Sequence, residues 1–394
     1  MGLKSMVDSS EFKSGTMNQL ITCSRCVMDQ SDSTITFDRD GVCVNCRNFD
    51  QSILPNWRHG KGHHDELSKM AREIKSYGKG RKYNCIIGVS GGLDSSYAAY
   101  IAVREMGLRP LLYHVDAGWN TEQAVANIEA LVDGLKVDLH TDVIDWPEMA
   151  DLQYAFLRAN VTDQDMPQDV AFFSSLYRFA RKNGFRYVLT GSNYSTECVR
   201  EPEAWGAYPG IDKGLVYDIH ARYGRRPLVK FPVSDIFEYR ILNRYLYRMK
   251  IMHPLNLVPF IKADVEHILQ RDLGWRPFLH KHHESRFTRF FEDYWLPKKF
   301  GFDKRRAHFS SLILTQQLSR EAALSRLQRP EMSDLFWDRE LNFIAKKIGM
   351  DREELDGLLS MPNASTRSFK NKHRLISFGW SLMRFLKLEK RLLR

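Results

Sequence analysis

The apolar positions of this chain fall into short unbroken runs separated by longer segments with helical spacing. Residues 85–89 (Cys-Ile-Ile-Gly-Val) are bounded by turn residues, the pattern of a strand buried on both faces. They break into Ser90-Gly91-Gly92, after which helix formers continue to Met106. The runs at 110–116, 138–144 and 187–193 repeat the pattern, with helical segments between them at 121–135 and onward to 183, one helix starting near Gln168 behind Pro167. Strands alternating with helices predict an α/β fold with a doubly wound parallel sheet, whose ligands lie beyond the carboxyl ends of the strands. From residue 235 the chain reads helical, with an amphipathic run over 235–252 ended by His253-Pro254.

These patterns divide the chain into a tail at 1–17, predicted to be disordered, a cysteine-bearing module at 18–50, a linker at 51–80 with a short helix over 65–77, the sheet domain at 81–255, and a mostly helical region at 256–394. At 394 residues and a mean hydropathy of −0.42, the chain is long enough for roughly two or three domains with their own cores. It has no apolar run of membrane-spanning length and no basic-then-apolar leader, so a cytoplasmic protein is expected. The net charge is +10, but eight Lys/Arg against one acid lie in 370–394, leaving +3 for the rest (10 − 7). That balance argues against stable nucleic-acid binding. Leu375, Ile376, Phe378, Trp380, Leu382, Phe385 and Leu386 interleave with Arg384, Lys387, Lys390 and Arg391. The pattern fits a terminal helix packed on the body or on a partner, and equally a helix lying peripherally on a membrane.

The turn after the first strand carries the chemistry. Gly91 and Gly92 have no Cβ where backbone amides must approach a ligand, and the turn opens on the positive end of a helix flanked by Ser95 and Ser96. Such a turn binds phosphate. Asp94 suits a bare anion poorly and a Mg²⁺ ion bridging carboxylate and phosphates well. Ser90, Gly91, Gly92, Asp94, Ser95 and Ser96 are therefore candidates for holding nucleotide, with Ser90, Asp94 and Ser95 nearest the chemistry.

Cys23 and Cys26, sixteen residues, then Cys43 and Cys46 give the spacing of two knuckles around one metal ion, with Gly41 near the second turn. Four thiolates leave no open position, so structural Zn²⁺ is expected; an iron centre has the same ligand set. His59, His63 and His64 read as solvated linker residues, Cys85 as a buried apolar residue, and Cys198 as packing or pocket-facing.

Other polar clusters surround these elements. Asp165 and Asp169 fit helix-start charges or a substrate mouth, and Glu197 and Arg200 follow the Thr190-Gly191-Ser192-Asn193 turn closely enough to reach the same cleft. Two dense segments lie further on, with Lys281, His282, His283, Glu284 and Arg286 in one and Lys304, Arg305, Arg306 and His308 in the other. Neighbouring histidines on a helix point apart, so an anion pocket for a diphosphate is the stronger reading than a metal site; a solvated basic face is the plain alternative.

Ser-Gly-Gly-Leu-Asp-Ser after a strand resembles the PP-loop of the ATP pyrophosphatases, which grip pyrophosphate and release AMP. The resemblance implies that His114, Val115 and Asp116 at the second strand end, and Thr190, Gly191 and Ser192 at the later turn, belong to the ATP site. The order of cysteine knuckles, PP-loop and the segments around 281–286 and 303–308 looks like the N-acetyl sugar amidotransferases of bacterial surface-polysaccharide synthesis, the WbpG-like family, over about 22–324. That resemblance implies an ATP-dependent conversion of an acetamido group on a nucleotide-activated sugar into an acetamidino group, in lipopolysaccharide O-antigen synthesis. It also implies ammonia from glutaminase-like and cyclase-like partners related to those of histidine biosynthesis. A tRNA-modifying PP-loop enzyme, thiolating or aminating a base, is the alternative; its relatives carry zinc knuckles too, but the nearly neutral body fits it poorly.

Overall fold

The computed structural model describes residues 20–57, 64–206, 208 and 210–385, with the backbone alone for 64, 240 and 380–385. The tail at 1–17, His59, His63 and the end of the basic segment, including Leu386, Lys387, Lys390 and Arg391, lie outside the described residues. Five strands form one sheet: β1 (Cys85–Gly88), β2 (Pro110–Asp116), β3 (Asp138–Val143), β4 (Tyr187–Leu189) and β5 (Lys250–Met252), in the order β3-β2-β1-β4-β5. Every pairing is parallel, with Ile86 opposite both Leu111 and Val188. The chain steps outward from β1 to β3, then returns to the other side for β4 and β5. A crevice therefore opens between β1 and β4, where the winding reverses.

Alternation along the strands builds two cores. Cys85, Ile87, Leu112 and Leu189 face α2 (His64–Tyr77), α3 (Leu93–Arg104), α4 (Glu122–Leu135) and α9 (Lys262–Leu273). Ile86, Leu111, Tyr113 and Val188 face α5 (Trp146–Ala159), α6 (Met166–Lys182) and α8 (Lys213–Tyr223). Helix starts follow local rules: Thr121 accepts from the Ala124 amide at the head of α4, and Asp145 from the Glu148 amide at the head of α5, followed by Pro147. Only 236–246 of the helix predicted over 235–252 is helical, wound as a π-type turn over 238–246, and 250–252 is a strand instead. Three residues carry no readable period, and the open edge of β4 imposes the extended form on Lys250-Ile251-Met252.

The remaining helices close over the carboxyl end of the sheet. They are α10 (Arg286–Phe290), continuing as a π-type turn to Phe300, then α11 (Arg305–Leu314), α12 (Arg320–Leu327), α13 (Asp334–Ile348), α14 (Arg352–Ser360) and α15 (His373–Phe385). Phe287, Phe290, Trp295, Trp337, Leu341 and Ile344 share a core with Trp119, which follows β2. The two units are thereby locked together. α15 is anchored through Ile376 in the core beneath α8, while Leu375 and Phe378 on the same helix are exposed. No helix among the described residues is long and apolar enough to cross a membrane. The cysteine module, with its short α1 (Val44–Asn48), packs Phe49, Ile53 and Trp57 against Tyr194, Cys198 and Trp205 and against Ala307 and Leu314 of α11.

Candidate active site

The turn after β1 lies in the crevice between β1 and β4 and is held there by its neighbours. Gly91 has φ +81°, and a Cβ on it would fall 2.4 Å from the Ala124 carbonyl oxygen. Its own carbonyl accepts from Trp275 Nε1 (3.0 Å) and Asn127 Nδ2 (3.1 Å), so α4 and the segment after α9 pin the turn from outside. Ser95 Oγ accepts from the Ser90 amide at 3.3 Å, and the Ser96 amide donates to Gly92 O at 3.2 Å, which opens α3. First-turn amides of a helix have no intrahelical partner and point toward whatever the turn holds. From the β4 side, Gly191 approaches so closely that a Cβ there would be 2.6 Å from the Asp94 carbonyl carbon.

Asp94 begins α3 and faces Glu197 of α7 (Tyr194–Glu197), the single helical turn after β4. Lys281 Nζ stands between them, 2.7 Å from Glu197 and 3.5 Å from Asp94. Burial pushes the Asp94 carboxyl up to about 6, with Lys281 pulling it back and Glu197 pushing it further. Burial also opposes ionisation of Glu197, but its closer contact with Lys281 wins and holds that carboxyl below the ordinary range. For Lys281 burial works against the charge, and the two carboxylates outweigh it, holding the ammonium above the ordinary lysine range. Asn193 Nδ2 donates to Asp94 Oδ1 at 3.2 Å and fixes its rotamer. A carboxylate pair already sharing one cation, beside a turn open to phosphate, fits a Mg²⁺ site.

Of the residues singled out in the sequence, the structure gathers Ser90, Gly91, Gly92, Asp94, Ser95 and Ser96 with Gly191, Glu197, Lys281 and Glu284. Glu284 Oε1 accepts from Ser90 Oγ at 3.1 Å. Lys304 is nearby, bridging Glu201 (2.9 Å) and Glu292 (3.2 Å), two acids that carry no local signal along the chain. Thr190 and Ser192 hydrogen-bond to one another at 3.2 Å beside Gly191. Val115 is buried in the core, and Asp116 Oδ1 accepts from the Gly118 amide (2.8 Å) and Asn120 Nδ2 (3.1 Å), shaping the turn after β2. His114 is buried between Val89 O (2.9 Å from Nδ1) and Asn120 Nδ2 (2.9 Å from Nε2). A carbonyl can only accept, so Nδ1 carries the hydrogen and Nε2 accepts from the amide, leaving this ring no hydrogen-bonding site for a nucleotide.

Four other residues are held away from the cleft. Arg286 donates to both carboxylate oxygens of Glu340 (2.9 and 2.5 Å) and lies 3.5 Å from the centre of the Phe343 ring. Arg305 is taken up by Asp303, Glu331 and the carbonyls of Arg326, Leu327 and Arg329, while Arg306 binds Asp29 and the Val27 carbonyl of the cysteine module. His283 is buried against Asp293 at 2.7 Å. Arg286→Ala is therefore expected to cost about 2 kcal/mol of stability, because the buried Glu340 loses two charged donors and keeps only Arg289, at 2.8 Å. In thermal melts the variant should unfold earlier with an unchanged KM for ATP; a raised KM with unchanged melting would put Arg286 on the substrate instead.

Asp163, Asp165 and Asp169 lie around the start of α6 in the same deep region. Burial pushes Asp163 up to about 6 and Asp165 up to about 7, and burial with the neighbouring Asp165 and Asp163 carries Asp169 well above the usual range. Thr288 Oγ1 donates to Asp165 Oδ2 at 2.8 Å. A carboxyl raised on folding contributes stability below its unfolded pKa of about 4, and loses it as pH climbs to the folded value. Wild type should thus lose melting temperature relative to Asp165→Asn between about pH 4 and 7, with no further divergence above. Parallel melting curves across that window would show that Asp165 does not hold its proton in the fold.

The four cysteine sulfurs lie within 4.8 Å of one another, with Cys23–Cys46 at 3.8 Å and Cys26–Cys43 and Cys43–Cys46 at 3.6 Å. Tetrahedral thiolates about 2.3 Å from one metal ion stand roughly 3.8 Å apart, so the set fits zinc. Amides of Arg25, Cys26 and Cys43 point at Cys23 Sγ (3.4, 3.4 and 3.2 Å), as thiolate ligands require. Gly41 (φ +76°) makes the turn before the second pair. Cys85 and Cys198 lie apart from this set; burial raises both thiols, Cys198 to about 12, so neither is a poised nucleophile.

A reversing parallel sheet with a Ser-Gly-Gly turn over a carboxylate at its crevice is the arrangement expected from the resemblance of Ser90–Ser95 to a PP-loop. In the helical part, residues 284–387 match the family model described as "LPS biosynthesis protein WbpG-like, C-terminal domain". The chain is 25% identical over 170 residues to "Uncharacterized protein MJ1599" of Methanocaldococcus jannaschii, covering 43% of this chain and 58% of that protein. The match thus spans less than two thirds of that relative's length. Among solved structures, NMN synthetase from Francisella tularensis aligns with 77% of this chain and 99% of its own at 14% identity, with a TM-score of 0.33.

Proposed function

We propose that the protein is an ATP-dependent sugar amidotransferase that turns an acetamido group of a nucleotide-activated sugar into an acetamidino group, in lipopolysaccharide O-antigen or related surface-polysaccharide synthesis. The observation that carries this reading is that the phosphate turn and the Asp94–Lys281–Glu197 triad lie against the start of the segment that matches the WbpG-like model, with Glu284 on Ser90 Oγ at 3.1 Å. An amide carbon is a poor electrophile, and ammonia cannot displace oxide from it. In the proposed reaction the amide oxygen takes AMP from ATP as pyrophosphate leaves. Ammonia then adds to the carbon, the C–O bond breaks, AMP departs with the oxygen, and loss of a proton leaves the amidine.

The side chains have distinct parts in this scheme. Ser90, Ser95, Ser96 and the amides of the turn hold the pyrophosphate in line. Asp94 and Glu197 would hold Mg²⁺, which neutralises phosphate charge. Lys281 is placed to follow the negative charge onto the leaving pyrophosphate. Lys281, His282 and Lys304 would meet the nucleotide-sugar, while Arg286, Arg305 and Arg306, bound to Glu340, Glu331 and Asp29, brace the surrounding helices. Ammonia is to come from separate glutaminase-like and cyclase-like subunits. The exposed Leu375 and Phe378 of α15 offer a contact for a partner or a membrane surface.

The test is incubation with ATP, Mg²⁺, an ammonium salt and candidate diacetamido nucleotide-sugars. AMP release dependent on one sugar, with a product lighter by the difference between O and NH, supports the reading. AMP release that depends on tRNA and not on any sugar would replace it with base modification.

A further inference from the structure

The strap at 281–284 crosses the phosphate turn and presents one cation and one anion to it. Lys281 Nζ lies between Glu197 and Asp94, at 2.7 and 3.5 Å. Three residues on, Glu284 Oε1 accepts from Ser90 Oγ at 3.1 Å and sits so close over Gly92 that a Cβ there would fall 2.7 Å from it. Between them His282 has φ +63°, a left-handed conformation that a histidine adopts only when its surroundings impose it. The backbone on the far side is tied down: the Thr121 amide donates to Glu284 O at 3.0 Å, the Arg286 amide to Trp119 O at 2.9 Å, and Ser285 bridges to Asn120. The strap is thus fixed at one end to the turn after β2 and bent at the other, with both charged groups in the crevice.

The position of Glu284 needs a reason. A glycine pair without Cβ atoms, hydroxyls and a helix start together make a cradle for a negatively charged group, and Glu284 already supplies one. Across the crevice, a carboxylate pair suited to a cation already shares the Lys281 ammonium. The two contacts copy, with groups of the protein itself, the charges that a polyphosphate and its metal ion would bring.

We propose that the 281–284 strap is a built-in occupant of the nucleotide site: Glu284 keeps the place of a phosphate, Lys281 keeps the place of the metal ion, and nucleotide binding displaces both side chains. This rests on the reading of the turn as a pyrophosphate cradle. The tethers at Thr121 and Trp119 let the side chains swing while the main chain stays. The strap satisfies Ser90, Asp94 and Glu197 with groups of the protein itself, so the carboxylate pair is compensated. On binding, Lys281 is transferred from the carboxylates to the phosphates, and Glu284 turns out toward the sugar side.

Calorimetric titration of inorganic pyrophosphate with Mg²⁺ into the full chain, its Glu284→Gln variant and its Glu284→Ala variant tests the anion half. Glutamine keeps the acceptor for Ser90 and loses the charge; alanine empties the place altogether. Both variants should bind pyrophosphate about tenfold more tightly than wild type, about 1.4 kcal/mol. Lys281→Met tests the cation half with Mn²⁺ alone, followed by electron paramagnetic resonance. With the ammonium gone, Mn²⁺ should bind about tenfold more tightly than to wild type, because Asp94 and Glu197 are left to a metal ion. If wild type binds pyrophosphate and the Glu284 variants bind it equally or less well, the anion half is wrong while the cradle stands. Mn²⁺ held no better by Lys281→Met overturns the cation half. No pyrophosphate bound by any of the proteins overturns the strap and the cradle together.

Discussion

Asp94→Asn should reduce the proposed sugar-dependent AMP formation by about 10²- to 10³-fold, a loss of about 3–4 kcal/mol of transition-state stabilisation, without unfolding the protein. The two side chains have the same shape, and the Asn193 amide can still donate to the remaining carbonyl oxygen, so the start of α3 keeps its geometry. Only charge is removed. Because burial already penalises the Asp94 carboxylate, the neutral variant should melt at the same temperature as wild type or slightly above it. Lys281 would then have Glu197 alone, and a metal ion would lose one of two acidic ligands. AMP release and thermal melting on the same preparations check both halves. Retained activity would remove Asp94 from the chemistry; lost activity with a collapsed melting curve would make it a structural residue.

What made Asp94 legible from the sequence is that the turn carrying it is local, although its partners Asn193, Glu197 and Lys281 are not. A buried strand, a glycine pair and a helix start lie within a dozen residues, and each has its own signal of apolar run, Cβ absence or clustered hydroxyls. The basic segments were legible only as composition. Read along the chain, Lys281, Arg286, Lys304, Arg305 and Arg306 form one positive cluster; in space they divide according to acids that lie far off in sequence. Glu340 takes Arg286, Glu331 takes Arg305 and Asp29 takes Arg306, while Lys281 and Lys304 turn to Glu197, Asp94, Glu201 and Glu292 in the cleft. No spacing rule announces such pairings, since a surface arginine and one fixed by a distant carboxylate read alike. His114 illustrates the opposite limit: its strand-end position was visible, but the Val89 carbonyl and Asn120 amide that occupy both ring nitrogens were not. β5 was missed for a third reason, that a three-residue edge strand takes its form from the neighbour it pairs with.

Removing the metal from the four cysteines should have the largest effect on the fold, and it should reach the active site. Metal–thiolate binding in small modules is worth on the order of 10 kcal/mol or more, beyond what Phe49, Ile53 and Trp57 contribute as the module's own apolar core. Without it the module should unfold. Arg320, which donates to the carbonyls of Cys23 (2.8 Å) and Cys26 (3.0 Å), and Arg306, which pairs with the buried Asp29 at 3.0 Å, would lose their partners. Tyr194 and Cys198, one on each side of the turn that ends in Glu197, would lose the surface they pack on. The expected result is one zinc ion per chain by metal analysis, and early proteolysis of the first fifty or so residues after chelation or Cys26→Ser. The same treatment should lower the melting temperature of the whole chain and weaken Mg²⁺-dependent pyrophosphate binding, as Glu197 is no longer held beside Asp94 to share a metal ion. Added Zn²⁺ should restore the chelated wild type and not the serine variant. A coloured protein with thiolate-to-iron absorption would replace zinc with iron and leave the mechanical argument intact. Unchanged melting and nucleotide binding after complete metal loss would refute it, because packing on α11 alone would then suffice to hold the turn carrying Glu197.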